Sequence, residues 1–248
     1  MQSQLVDSLR LKHAPVAVLL TDDKPHEGIQ FKPGRMGCVA AMLLTASRGR
    51  TGFFDRRTFG CPGGGVGLGF GNCYVDFPIE RLLSTGGKAS LGDGRTWDMH
   101  EGERFHRTPE ITAQWLAAFP FRDVAAELVV FKPLSAVAHD DPIAAVFLLV
   151  NPDQLSALVT LAGFDSGALE TTTAPWGAAC QSIAFAYAEG DRQHPRGVIG
   201  FFDISQRHRV ERDIMSFTAP YKLFCAMEAN VEQSFLATDA WRRLQERQ

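Results

Sequence analysis

Apolar positions in this chain fall into short blocks, and their spacing switches between two periods. Residues 15–20 (PVAVLL) and 144–150 (AAVFLLV) are unbroken apolar runs of strand length, the pattern of strands buried on both faces. Residues 51–54, 128–131 and 198–202 read as further strands, the first of them bounded by Asp55. Apolar residues at helical spacing predict a helix over 2–10, with Leu5, Val6 and Leu9 on one side. The same spacing predicts helices over 38–47, stopped by Gly49, and over 109–119, opened by Pro109. Others are expected over 152–161 with Asn151 as its cap, around 180–189, and over 220–236 with Leu223, Phe224, Met227, Val231 and Phe235 inward. Residues 78–83 could form a short helix, while 21–37 and 84–108 hold few packing residues and read as connections. The expected fold is therefore α+β, with helices and strands in mixed layers.

Two stretches share an order. Cys38 opens an apolar helical run that leads to Gly52-Phe53-Phe54-Asp55, and Cys180 opens another that leads to Gly200-Phe201-Phe202-Asp203. The shared order suggests two related halves, 11–108 and 127–236, packed as one unit across residues 1–248. Independent helix–strand patterning is the alternative.

The bulk numbers narrow the function classes. A net charge of -3 without a long basic run argues against nucleic acid as the main partner, leaving only a local basic patch at Arg207, His208, Arg209 and Arg212. The apolar run 142–150 is nine residues, against about 20 for a membrane span. The first residues lack the apolar stretch of a secretory signal, so a cytosolic location is expected. The five cysteines are odd in number and widely spaced, which fits free thiols better than a disulfide framework. There is no CxxC and no HExxH.

Three cysteines carry the candidate chemistry. Cys38 and Cys180 fall in the first turns of expected helices, where the helix dipole and free N–H groups should lower a thiol pKa, and Arg35 should add to this at Cys38. Cys61 stands in 60–71 (GCPGGGVGLGFG), where seven of twelve residues are glycine. Cys38, Cys61 and Cys180 as thiolates would suit a soft metal or an iron–sulfur cluster, and Cys73 could complete the set. The same cysteines could equally be core residues, as Cys225 in YKLFCAM is expected to be. Gly60, Gly63, Gly64 and Gly65 could cradle an anion or cofactor with backbone N–H groups, or could allow a tight helix crossing. Neither a dinucleotide fingerprint nor GK[ST] accompanies them.

Other polar candidates are weaker. Asp55 and Asp203 close matching strands and read as turn caps or as groups that orient a ligand. Lys32-Pro33 and Lys132-Pro133 suggest extended segments. His26, His100, His106, His139, His194 and His208 lie in polar contexts and His13 borders the first strand; none stands at ligand spacing, and each reads as solvated surface, with a general base as the alternative.

Taken in order, PVAV, Cys38, Cys61-Pro62-Gly63-Gly64, FKPL, LLVNPDQL, Cys180 and RDIMSFTAPYKLFCAMEAN resemble the DUF169 family of archaeal and bacterial conserved-region proteins, over roughly residues 5–235. The resemblance implies a single module and draws attention to Cys38, Cys61 and Cys180, with no catalytic role attached. Three functions are open: binding of a soft metal, iron–sulfur cluster or small cofactor through cysteines; a thiol-dependent enzyme acting on a small molecule; and a non-enzymatic small-molecule or regulatory module. The expected partners are a small molecule or cofactor and a second copy of the chain in a homodimer, not nucleic acid or membrane.

Overall fold

A computed structural model describes residues 1–246, and one seven-stranded sheet organises them. A short helix, α1 (Gln4–Leu9), precedes β1 (Val16–Thr21), and α2 (Val39–Ala46) and β2 (Gly52–Phe54) follow. A long excursion then holds α3 (Pro62–Leu68), α4 (Ile79–Leu82), the hairpin strands β3 (Gly87–Ser90) and β4 (Thr96–Met99), and α5 (Pro109–Ala118). The chain returns as β5 (Leu128–Pro133) and continues through β6 (Ile143–Val150), α6 (Pro152–Ala162) and β7 (Thr172–Thr173). It ends with α7 (Ser182–Gly190), β8 (Gly197–Gly200), β9 (Met215–Pro220), α8 (Tyr221–Ala229) and α9 (Asp239–Gln245).

The sheet order is β2-β5-β1-β6-β9-β8-β7, antiparallel throughout except for β7 beside β8. Period-2 alternation sends side chains into two cores. Val16, Val18, Val129, Phe131, Phe147 and Leu149 face α2 and α7. Ala17, Leu19, Val130, Val146, Leu148 and Phe217 face α1, α6 and α8. Both faces are covered, which is why β1 and β6 read as unbroken apolar runs. Phe54 and Phe131 meet edge to face with centroids 5.0 Å apart, and burial of each ring contributes roughly 1.5–3 kcal/mol. The other face is tied by Gln154: it completes the capping box of α6 with Asn151 and donates to Leu9 O at 3.0 Å, fastening α1.

Outward from the central β1–β6 pair lie β5 and β2 on one side and β9, β8 and β7 on the other. β5, expected at the start of the second half, lies between β2 and β1. Several local expectations are corrected. Residues 62–68 form a helix rather than a loop, the helix expected over 220–236 spans only Tyr221–Ala229, and 215–220 is a strand. The second GFFD segment leaves the sheet at Gly200. Among the described residues no helix is long and apolar enough to cross a membrane.

Candidate functional site

The starts of α2 and α3 lie side by side, and close backbone contact puts them there. Gly60 has φ +81, and a Cβ on it would lie 2.5 Å from Gly37 O. A Cβ on Gly64 would lie 2.7 Å from Val39 Cγ2. These two contacts bracket Cys38, which precedes α2, and Cys61, which precedes α3. Cys61 Sγ accepts a hydrogen bond from Gly64 N at 3.3 Å, so this thiol caps its own helix. Cys38 does not cap; its Sγ donates to Gln206 Oε1 at 3.3 Å, and Arg209 Nε donates to the same oxygen at 2.7 Å.

Cys180 arrives from the far half of the chain. It sits in a single turn, Ala179–Gln181, that runs into α7. The turn is pressed against α3: a Cβ on Gly67 would lie 2.8 Å from Cys180 O and 3.2 Å from Cys180 Sγ. Cys180 Sγ donates to Gly63 O at 3.6 Å. Three thiols from segments far apart in sequence thus surround the first turns of α3. Cys73 lies on the opposite flank, where a Cβ on Gly65 would lie 2.5 Å from its Sγ.

Electrostatics at the site run against the expected thiolates. Burial pushes the Cys180 thiol well up, and thiolate charge on Cys61 or Cys38 and the carboxylate of Asp203 push it further. Burial also raises Cys61; the Gly64 N–H opposes this and the Cys38 thiolate adds to it. Cys73 is raised chiefly by burial. The expected lowering at Cys180 fails because the residue sits within a short turn, desolvated, rather than at an open helix end. Burial therefore favours the protonated form of Cys61, Cys73 and Cys180, and a thiolate formed at one of them would disfavour the next.

Asp203 fixes the turn that carries Cys180. Its carboxylate is buried and accepts from Ala179 N at 3.3 Å, Ser205 N at 3.0 Å and Ser205 Oγ at 2.6 Å. Asp55 has the matching role after β2, accepting from Arg57 N at 2.8 Å and Thr58 Oγ1 at 3.0 Å. Both aspartates are turn caps. Phe201, two residues before Asp203, holds a left-handed φ of 69 that costs a non-glycine residue roughly 1–3 kcal/mol, and its fully buried ring keeps it there. Gln181 extends the shell, donating from Nε2 to Tyr74 Oη at 2.7 Å.

Of the four glycines Gly60, Gly63, Gly64 and Gly65, Gly64 N is used by Cys61 Sγ and Gly65 N by Cys61 O at 3.0 Å, while Gly60 and Gly64 allow the tight crossing with the start of α2. Cys38, Cys61 and Cys180 come together, but among the described residues no group of three or more His, Cys, Asp or Glu side chains is arranged to hold a metal ion. Cys225 is exposed on α8 rather than part of the core. His106 is half-buried against Trp115 and Trp176, bonded to Thr112 Oγ1 at 3.1 Å, not solvated as expected. Gln206, Gln181 and Tyr74 carried no signal in the sequence, since isolated amides and one tyrosine match no chemical motif.

Among known proteins, the family model DUF169, described as uncharacterised ArCR, matches residues 4–230. No curated protein and no solved structure matches the chain.

Proposed function

The chain belongs to the DUF169 family, and from that premise we propose that it is a binding protein whose Cys38, Cys61 and Cys180 take a thiophilic metal ion or an iron–sulfur cluster. The observation that carries this reading is the convergence of the three thiols on the first turns of α3, close enough that thiolate charge on Cys61 and Cys38 raises Cys180. Desolvated thiols that repel one another as anions are disfavoured alone and favoured once a cation neutralises them. Binding would release their protons and draw the sulfurs inward, since no ready ligand set of three exists among the described residues. A thiol-dependent enzyme has less support: the hydrogen bonds of the three sulfurs go to Gln206, Gly64 and Gly63, and none goes to a histidine that could take a proton. The five cysteines are all free, which suits a reducing, cytosolic setting. The matching roles of Asp55 and Asp203 after the two GFF segments support descent of the two halves from one duplicated unit.

The test is anaerobic purification followed by analysis for iron, acid-labile sulfide, zinc and copper. Retained metal that is lost in Cys38→Ser, Cys61→Ser and Cys180→Ser, and kept in Cys225→Ser, is the expected result. Metal-free protein that takes up neither metal nor cluster on reconstitution would overturn the proposal.

A further inference from the structure

A cavity of about 220 Å³ lies away from the thiols, between the end of α6, one side of α8 and the 193–196 segment before β8. Its floor is apolar, made by Leu161, Ala162, Leu223, Ala226 and Met227. It is smaller than the roughly 300–1,000 Å³ that drug-sized ligands occupy, so any occupant is small.

Two opposite charges line this cavity with no ion-pair partner among the described residues. Lys222 Nζ donates to Gln193 O at 3.2 Å and forms no ion pair among the described residues. Asp165 accepts from the neutral amide of Asn230 and likewise forms no ion pair there. The two are not paired with each other. The remaining cation, Arg196, is already committed: it donates to Glu189 at 2.6 and 3.0 Å and lies 3.7 Å from Glu170. A solvent-facing ammonium and a solvent-facing carboxylate, neither in an ion pair among the described residues, stand over one apolar floor and are complementary to a molecule that carries both charges and an apolar group.

We propose that this cavity binds a small zwitterion with an aliphatic side chain, of the α-amino acid class. Its carboxylate pairs with Lys222, its ammonium with Asp165, and its side chain covers Leu161, Leu223 and Met227. The proposal stands apart from the thiol site, because no residue of that site lines the cavity.

Calorimetric titration of the full chain with L-leucine is the test, beside L-leucinamide, which lacks the carboxylate, and 4-methylpentanoate, which lacks the ammonium. Leucine should bind with a Kd of about 1 mM or tighter, and each analogue should bind about tenfold or more weakly. Lys222→Gln, which keeps a donor for Gln193 O, and Asp165→Asn should each weaken leucine about fivefold or more. Both residues are exposed, so the thermal midpoints of the free variants should stay at the wild-type value. Absence of leucine binding up to about 10 mM, equal binding of 4-methylpentanoate, or unchanged affinity in both variants would overturn it.

Discussion

Gly67→Ala probes the contact on which the thiol site is built. On helix propensity alone the change should stabilise α3 by about 1 kcal/mol. The new Cβ, however, would lie 2.8 Å from Cys180 O and 3.0 Å from its carbonyl carbon. That neighbour is backbone, and it is held by Gln181 N to Ala178 O at 2.8 Å and by Asp203 through Ala179 N at 3.3 Å, so it cannot swing away as a side-chain tip would. Overpacking costs about 1–3 kcal/mol, and rigid backbone belongs at the upper end. The net expectation is a loss of about 2 kcal/mol, or roughly 4–8 °C in Tm for a chain of this size. Gly63→Ala is the internal comparison. Its Cβ would meet only Tyr74 Oη at 3.3 Å, so its stability should stay within about 0.5 kcal/mol of wild type or rise. Urea unfolding followed by far-UV circular dichroism gives both values, with unchanged m as the check that compactness is the same. A Gly67→Ala variant as stable as wild type, or equal effects at the two glycines, would refute the reasoning.

Alkylation at neutral pH should modify exposed Cys225 first and Cys180 last, by a factor of about 100 or more, because burial keeps Cys180 both covered and protonated; equal rates measured by mass spectrometry would contradict this. Asp203→Asn should cost about 2 kcal/mol in urea unfolding, since an amide cannot accept from all three of Ala179 N, Ser205 N and Ser205 Oγ. At Glu189, burial works to raise the carboxyl, but the hydrogen bonds and charge of Arg196, with Arg192, outweigh it and leave the pKa below its ordinary 4.5. A depressed carboxyl stabilises the fold fully above pH 4.5 and loses that contribution as pH falls through the lowered value. Arg196→Gln should therefore flatten the acid limb of stability against pH, and an unchanged limb would show that the pair contributes nothing.

What could be read from the sequence followed from burial. β1 and β6 were legible because both of their faces are covered and every position is apolar. β9 was not, because Ser216 and Thr218 occupy fully buried positions where the pattern calls for apolar side chains, and their hydroxyls have no hydrogen-bond partner among the described residues. α3 was hidden by its own composition. Glycine disfavours a helix by about 1 kcal/mol per residue, and this helix exists because small residues let the start of α2 and the Cys180 turn approach it. Cys225 was misread because 221–227 is largely apolar, while only Leu223, Phe224 and Met227 of α8 are buried. Cys38, Cys61 and Cys180 could be named from their settings, but their convergence comes from the sheet order and the α3 crossing, neither of which one-dimensional spacing encodes.

The central claim is that these three thiols form one cation-binding unit. Cadmium titration of the fully reduced chain, followed by thiolate-to-metal charge-transfer absorption and by proton release, tests it most directly. One equivalent should saturate the signal in the wild type and in Cys225→Ser, and the signal should fall away in Cys38→Ser, Cys61→Ser and Cys180→Ser alike. Absence of the band, or a band that survives all three substitutions, would contradict the account.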